Sequence, residues 1–169
     1  MGGTNVQVTI TIFSDFQCPY CRTVAADLAE RRRAHASDGR VAVIYRHYPL
    51  QFHKTAHLAA MAAECAGLQG RFEAYHDQLF AHQDSLNYAQ WSSYARNANV
   101  ANIARFETCL RDGRVAAVIT RDSIAGDRLG VRGTPTLLVN NQKLVGSPGR
   151  EALQGYVAAA LRKATNKED

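Results

Sequence analysis

Cys18 and Cys21 stand three residues apart in FSDFQCPYC, residues 13–21, with Pro19 between them. Two thiols at this spacing have three uses: a metal clip, a structural staple, or a disulfide that opens and closes. A zinc site needs a second ligand pair close in space. The remaining cysteines, Cys65 and Cys109, are far apart in sequence and do not form a second CxxC. His53 and His57 stand four apart and could share a helix face, but they lack an HExxH pattern and an evident third ligand. Ordinary histidines are the simpler reading, and no metal is expected.

The order Cys-Pro-Tyr-Cys favours redox chemistry if a helix begins there. Pro19 suits the first helical position, which makes Cys18 the N-cap and lets its sulfur accept hydrogen bonds from the N–H groups of Tyr20 and Cys21. A helix dipole is worth about 0.3–2 kcal/mol near its first turn and one pKa unit is about 1.4 kcal/mol, so direct hydrogen bonds must supply any lowering beyond roughly one unit. Because the thiolate is the attacking species, Cys18 at the exposed end is the expected nucleophile. Cys21, one turn inside, is expected to resolve the mixed disulfide.

The surrounding pattern provides such a helix. Val6 to Phe13 alternates and is rich in β-branched residues, as a strand does, and leads straight into the cysteines. After Pro19 the apolar residues Val24, Ala25, Leu28 and Ala29 recur at helical spacing, and Asp38-Gly39 ends the run. Val41 to Tyr48 reads as a second strand stopped by Pro49, far enough from the first for a right-handed crossover between parallel strands. From His53 to Leu129 only helical segments are evident: 55–66, 71–82, 88–97, 102–111 and 114–129. Asn87 with Gln90 resembles a capping box, and Gly130 stands where a helix C-terminal glycine belongs. Thr136–Val139 and Gln142–Val145 flank Asn140-Asn141, a pair suited to a hairpin turn. Ser147-Pro148 is expected to cap a closing helix with Leu153, Val157, Ala160 and Leu161 on one stripe.

Bulk properties narrow the classes of function. With 169 residues, 46% of them hydrophobic, the chain suffices for one unit with a sizeable core. The net charge of +5 is scattered, and only Arg31–Arg33 form a basic run, without the interleaved aromatics of a base-stacking surface. Nucleic-acid binding is not expected. The weakly polar run 56–68 is shorter than the roughly 20 residues that span a bilayer. No leader is evident at Met1-Gly2-Gly3-Thr4, so the protein is expected either to be cytoplasmic or to be a processed form; a short charged tail closes the chain at Lys167–Asp169.

FSDFQCPYC, YRHYPL at 45–50, AAECAGLQGRFEAYHDQLF at 62–80 and LGVRGTPTLLVN at 129–140 together resemble the DsbA-like thiol-disulfide oxidoreductases of the thioredoxin superfamily. The resemblance implies an α/β fold: a thioredoxin-like domain over residues 1–52 and 130–169, with a helical domain inserted at 53–129. It implies that Pro135 is cis and faces the cysteines, with Thr134 beside Cys18, and that Thr134, Pro135, Pro19 and Tyr20 meet an extended substrate segment by edge addition. It also implies an exported or periplasmic monomer acting on reduced or misoxidised polypeptides, and a membrane partner that reoxidises it. No cofactor is expected.

Three departures qualify the resemblance. Ile12 occupies the strand position where thioredoxin and several relatives carry a buried acid, so any carboxylate proton acceptor for Cys21 must come from elsewhere. Asp15 is read as a turn residue before a proton carrier. Tyr20 replaces the histidine of the strongest oxidants, which predicts a Cys18 pKa below the free value of about 8.5 but above theirs. CPYC with threonine before the proline also resembles disulfide isomerases of the DsbG type, and CPYC alone resembles glutaredoxins. The direction of exchange therefore stays open between oxidase and reductase or isomerase, with a peptide-binding or chaperone module that does not turn over as the reading from a different class. Cys65 shares a helix face with Leu58, Met61 and Ala62, while Cys109 lies one turn past Phe106. Both are expected to point inward and form a structural disulfide, the reading preferred over two buried thiols.

Overall fold

The computed structural model describes residues 6–34, 39–86 and 90–165, with the side chains of 31–34 outside that description. Four strands make one sheet in the order β2-β1-β3-β4. β1 (Val8–Ser14) and β2 (Val41–His47) are parallel, with Ile12 opposite Tyr45 and Ser14 opposite His47. β3 (Thr136–Val139) runs antiparallel to β1, and β4 (Gln142–Val145) antiparallel to β3. The crossover between the parallel strands is α1 (Pro19–Ala34), and α7 (Arg150–Thr165) closes the chain.

Between β2 and β3 come α2 (Ala56–Gly67), α3 (Phe72–Ala81), a 3-10 turn at Gln83–Ser85, α4 (Trp91–Asn97), α5 (Ile103–Asp112) and α6 (Ala116–Arg128). This is an α/β thioredoxin-like sheet carrying an inserted helical domain. α2 is buried on nearly every side, with Ala59, Ala62, Ala63 and Ala66 fully covered, as a helix apolar all round must be. Its small side chains let neighbouring helices close around it.

Two cores result. On the even-numbered face of β1, Val8, Ile10 and Ile12 pack with Val24 and Leu28 of α1 and with Leu153 and Val157 of α7. The larger core fills the helical domain around Tyr75, Leu79, Trp91 and Phe106 and extends through Phe16 to Cys18 and Cys21. α6 lies close over β1 because Gly126 has no side chain: a Cβ there would stand 2.8 Å from Tyr48 Cδ2 and 3.1 Å from Phe13 Cδ1. It ends at Gly130, whose φ of +67° only glycine adopts freely, while Val131 N–H returns to the Gly126 carbonyl.

Several local expectations differ from the structure. The closing helix begins at Arg150, so Ser147 and Pro148 precede it and do not cap it. Gly149, with φ +78°, offers its carbonyl to Leu153 N–H instead, and a left-handed residue there reorients the chain after Pro148. In the hairpin turn Asn140 has a positive φ of 50° and Asn141 is not among the positive-φ residues. Asn140 is held by a reciprocal pair with Thr9, Thr9 N–H to its Oδ1 and its own N–H to Thr9 O, both at 2.8 Å. Asn87, Asp38 and the Lys167–Asp169 tail lie outside the described residues, as do the side chains of Arg31–Arg33.

Cys65 on α2 and Cys109 on α5 are bonded, with Cα atoms 5.8 Å apart and a sequence separation of 44. A cross-link over that span removes loop-closure entropy from the unfolded chain. Replacing both by alanine is expected to lower unfolding stability by about 2–4 kcal/mol. A guanidinium titration with an unchanged midpoint and slope would contradict this.

Candidate active site

β1 delivers the chain into a turn at Asp15, and the helix starts at Pro19. Cys18 N–H bonds to Asp15 O at 3.1 Å, while Cys21 N–H and Arg22 N–H reach Cys18 O at 3.0 and 3.4 Å, so Cys18 occupies the N-cap. The Asp15 carboxylate is buried and fully used: Oδ1 accepts from Gln17 N–H at 2.7 Å, and Oδ2 pairs with Leu50 N–H at 2.7 Å and His53 Nδ1 at 2.8 Å. Gln17 in turn accepts Thr55 N–H at 2.6 Å. The segment 50–55 is thereby stapled to the loop before the cysteines, and Asp15 is occupied as a turn anchor.

A second clamp comes from the helical domain. Gln83 is buried, and its Nε2 donates to Phe16 O at 2.7 Å and Cys18 O at 3.0 Å. Arg22 and Asp84 pair beside it at 2.9 Å on the surface. Sequence reasoning missed Gln83 because no periodicity or motif marks an amide in a three-residue turn between helices. Only its burial reveals it.

Opposite the helix start, the Thr134–Pro135 peptide is cis. Cys18 Sγ donates to the Thr134 carbonyl at 3.2 Å, which joins residues 116 positions apart. Thr136 Oγ1 donates to Gly133 O at 2.8 Å and secures the bend. Pro19 and Tyr20 face outward beside it, Tyr20 with 67% exposure. The structure thus gathers Cys18, Cys21, Thr134 and Pro135 at one place, flanked by Pro19 and Tyr20, while the Cys65–Cys109 bond lies elsewhere, within the helical domain.

Cys18 is not at an exposed end: it is 4% accessible and Cys21 is fully covered. The apposed Thr134 carbonyl and the Phe16 cluster shield the sulfur that sequence placed at the surface. Both thiols are unbonded. Hydrogen bonding from the Cys21 side chain, supplemented by the Cys21 and Tyr20 N–H groups, pulls the Cys18 pKa down to about 5 against the opposing effect of burial. Burial, with the hydrogen bond given to Cys18, pushes the Cys21 thiol far up. One helix turn therefore holds an anion at its mouth and a proton just inside.

His53 is bound to Asp15 and His57 is exposed. Among the described residues no three His, Cys, Asp or Glu side chains come together as a metal site.

A central β1 flanked by one parallel and one antiparallel neighbour, a CxxC at the start of its following helix and a cis-proline across from it define a thioredoxin-fold dithiol protein. The thioredoxin family model matches residues 1–159. A curated relative, Na(+)/H(+) antiporter NhaA 3 of Salinispora tropica, is 38% identical over 164 residues, 96% of this chain but 24% of its own length. The chain spans about a quarter of the curated relatives it matches. Among solved structures, BdbD of Bacillus subtilis superposes with a TM-score of 0.83 at 20% identity, covering 96% of this chain and 91% of its own. A thioredoxin-like oxidoreductase of Silicibacter pomeroyi gives 0.76 at 26% identity, with 96% and 91% covered. This chain belongs to the thioredoxin family.

Alkylation of the reduced protein with iodoacetamide is expected to titrate Cys18 with a midpoint near pH 5. A midpoint at or above the free-cysteine value of about 8.5 would contradict the geometry described.

Proposed function

We propose that the Cys18–Cys21 disulfide is donated to cysteine pairs of exported polypeptides, with this chain acting as a dithiol oxidase. The observation that carries the reading is the Cys18 sulfur at the N-cap of α1, acidified by the Cys21 side chain and by the N–H groups of the first helical turn. A disulfide gains nothing from thiolate-stabilising hydrogen bonds, whereas the reduced pair does. Each pKa unit gained by the reduced form is worth about 30 mV of oxidising power in a two-electron couple. This favours the oxidase direction over a reductase or isomerase held reduced.

In the proposed reaction a substrate thiolate attacks Cys18 Sγ. The Cys18–Cys21 bond breaks, and its electron pair leaves on Cys21 Sγ, which takes up a proton. A second substrate thiolate then attacks its own mixed-disulfide sulfur and releases the Cys18 thiolate. The substrate gains a disulfide, and the two electrons stay on the cysteine pair until a membrane redox partner of the exported compartment removes them. Thr134 and the cis-proline bend offer backbone groups to an extended substrate segment, with Pro19 and Tyr20 alongside. Cys65 and Cys109 serve stability in this scheme. The antiporter name attaches to relatives about four times longer than the shared region, and no described helix of this chain is long and apolar enough to cross a membrane. The proposed activity therefore rests on the cysteine site alone.

Oxidative refolding of a reduced two-cysteine peptide is expected to proceed with the oxidised protein and to stop in Cys18→Ser. Cys21→Ser, mixed instead with the disulfide-bonded form of the peptide, is expected to accumulate a covalent mixed disulfide, because the Cys18 thiolate breaks the peptide disulfide, expels one peptide thiolate and has no second thiol to release it. Insulin reduction or scrambled-substrate repair that outpaces oxidation under the same conditions would reassign the direction.

A further inference from the structure

Cys21 must gain or lose a proton whenever the disulfide opens or closes, yet Ile12 fills the strand position beneath it with hydrocarbon and is 2% exposed. Asp15, the nearest carboxylate in sequence, has its oxygens committed to Gln17, Leu50 and His53. The residue paired with Ile12 on the neighbouring strand is Tyr45, and the residue paired with Ser14 is His47. All four side chains lie on one face of the sheet, because residues two apart on a strand share a face.

Ser14 is 2% exposed, its hydroxyl shares a sheet face with the Tyr45 phenol, and the next residue, Asp15, brings its N–H to the Cys21 sulfur at 3.4 Å. Neither hydroxyl completes a well-aligned hydrogen bond, and His47 Nδ1 is also buried without a partner. Three such atoms in one place are expensive if they serve only packing, since each forfeits about 1–3 kcal/mol of solvation. The Tyr45 and His47 rings stand edge to face with centroids 5.2 Å apart. His47 Nε2 is 2.9 Å from Glu64 Oε1, and the Glu64 side chain is 24% exposed, the point at which this polar chain reaches water. The charged or titratable groups facing this place are Cys18 and Cys21 from α1, Asp15 from the preceding turn, His47 from β2, Glu64 from α2 and His76 from α3, whose ring lies 5.2 Å from that of Tyr45.

We infer that Ser14 and Tyr45, backed by the His47–Glu64 pair, form the proton path of Cys21 in place of the missing strand acid. The inference rests on the proposed exchange at Cys18 and Cys21. When Cys21 leaves as a thiolate, the Ser14 hydroxyl gives it a proton and is refilled from the Tyr45 phenol, which is refilled from the His47–Glu64 pair. Glu64 exchanges that proton with solvent. In the closing direction Cys21 attacks the mixed disulfide on Cys18, the substrate thiolate departs with the electron pair, and the Cys21 proton leaves along the same groups in reverse. In this path Ser14 exchanges the proton with the Cys21 sulfur; Tyr45, His47 and Glu64 are positioning residues that act through it.

The test measures closure of a Cys18–glutathione mixed disulfide by acid quench and mass spectrometry between pH 5.5 and 9, in the wild type, Tyr45→Phe and Ser14→Ala. Closure at pH 7 is expected to fall roughly tenfold to a hundredfold in each variant, toward the low end of general acid–base effects, and to recover as pH rises and hydroxide replaces the path. The Cys18 alkylation midpoint is expected to move little. Because Tyr45→Phe removes an oxygen with no well-aligned partner, thermal stability should not drop. Should that variant fail to fold, Ser14→Ala decides alone. Wild-type closure with an unchanged pH profile in the variants overturns the path. So does a loss of rate equal at every pH and accompanied by lower stability, which marks a packing role. A wild type that forms no mixed disulfide at Cys18 overturns the proposed exchange itself, an outcome distinct from either.

Discussion

The 3.2 Å contact between Cys18 Sγ and the Thr134 carbonyl is where the chain's two sheet-forming segments have to agree. One arrives from β1 through a turn, the other enters β3 through a cis peptide, and β1 and β3 are adjacent strands in antiparallel register. That pairing fixes the height of the Thr134 bend relative to the helix start. A register slip would carry the bend away from the sulfur and reverse every side chain on β3.

Such an apposition is useful only if the loop carrying Cys18 does not yield. Its rigidity comes from two buried side chains whose hydrogen bonds hold the backbone around Cys18. Asp15 binds the turn to the segment after β2, and Gln83 binds the Phe16 and Cys18 carbonyls to the helical domain. Each clamp uses a side chain that would be costly to bury unpaired. The helical domain is therefore a wall of the active site as well as a separate core, and the Cys65–Cys109 bond, tying α2 to α5, firms the body on which Gln83 is mounted.

Much of this was legible from sequence where the signal is local. The alternation of Val6 to Phe13, the proline after Cys18, and the glycine after Leu129 each report a backbone state that the residue type nearly dictates. The inward faces of Cys65 and Cys109 followed from helical spacing. What escaped depends on distant partners. Burial of Cys18 is set by a loop 116 positions away, and the role of Gln83 by a carbonyl 65 positions away. Pro148 looked like a helix start because its φ suits one, but the positive φ of Gly149 overrules it. Tyr45 reads as an ordinary strand residue until the register sets it beside Ile12.

The opposed acidities of the two cysteines follow from the same turn of helix. Donors gather at Cys18, so its anion is favoured, whereas Cys21 is fully covered and gives a hydrogen bond to that anion, so its proton is retained. The sign of the pH effect on the reduced fold can be worked through. Cys18 titrates near pH 5 when folded and near 8.5 when unfolded, so its anion stabilises the reduced form fully above the unfolded value. That contribution declines as pH falls and is lost through about 5. The disulfide form has no such dependence, since neither sulfur titrates. The oxidising drive of the proposed reaction is thus a property of the reduced state, built from hydrogen bonds that the oxidised state cannot use, and across neutral pH it persists because the folded midpoint lies well below that range.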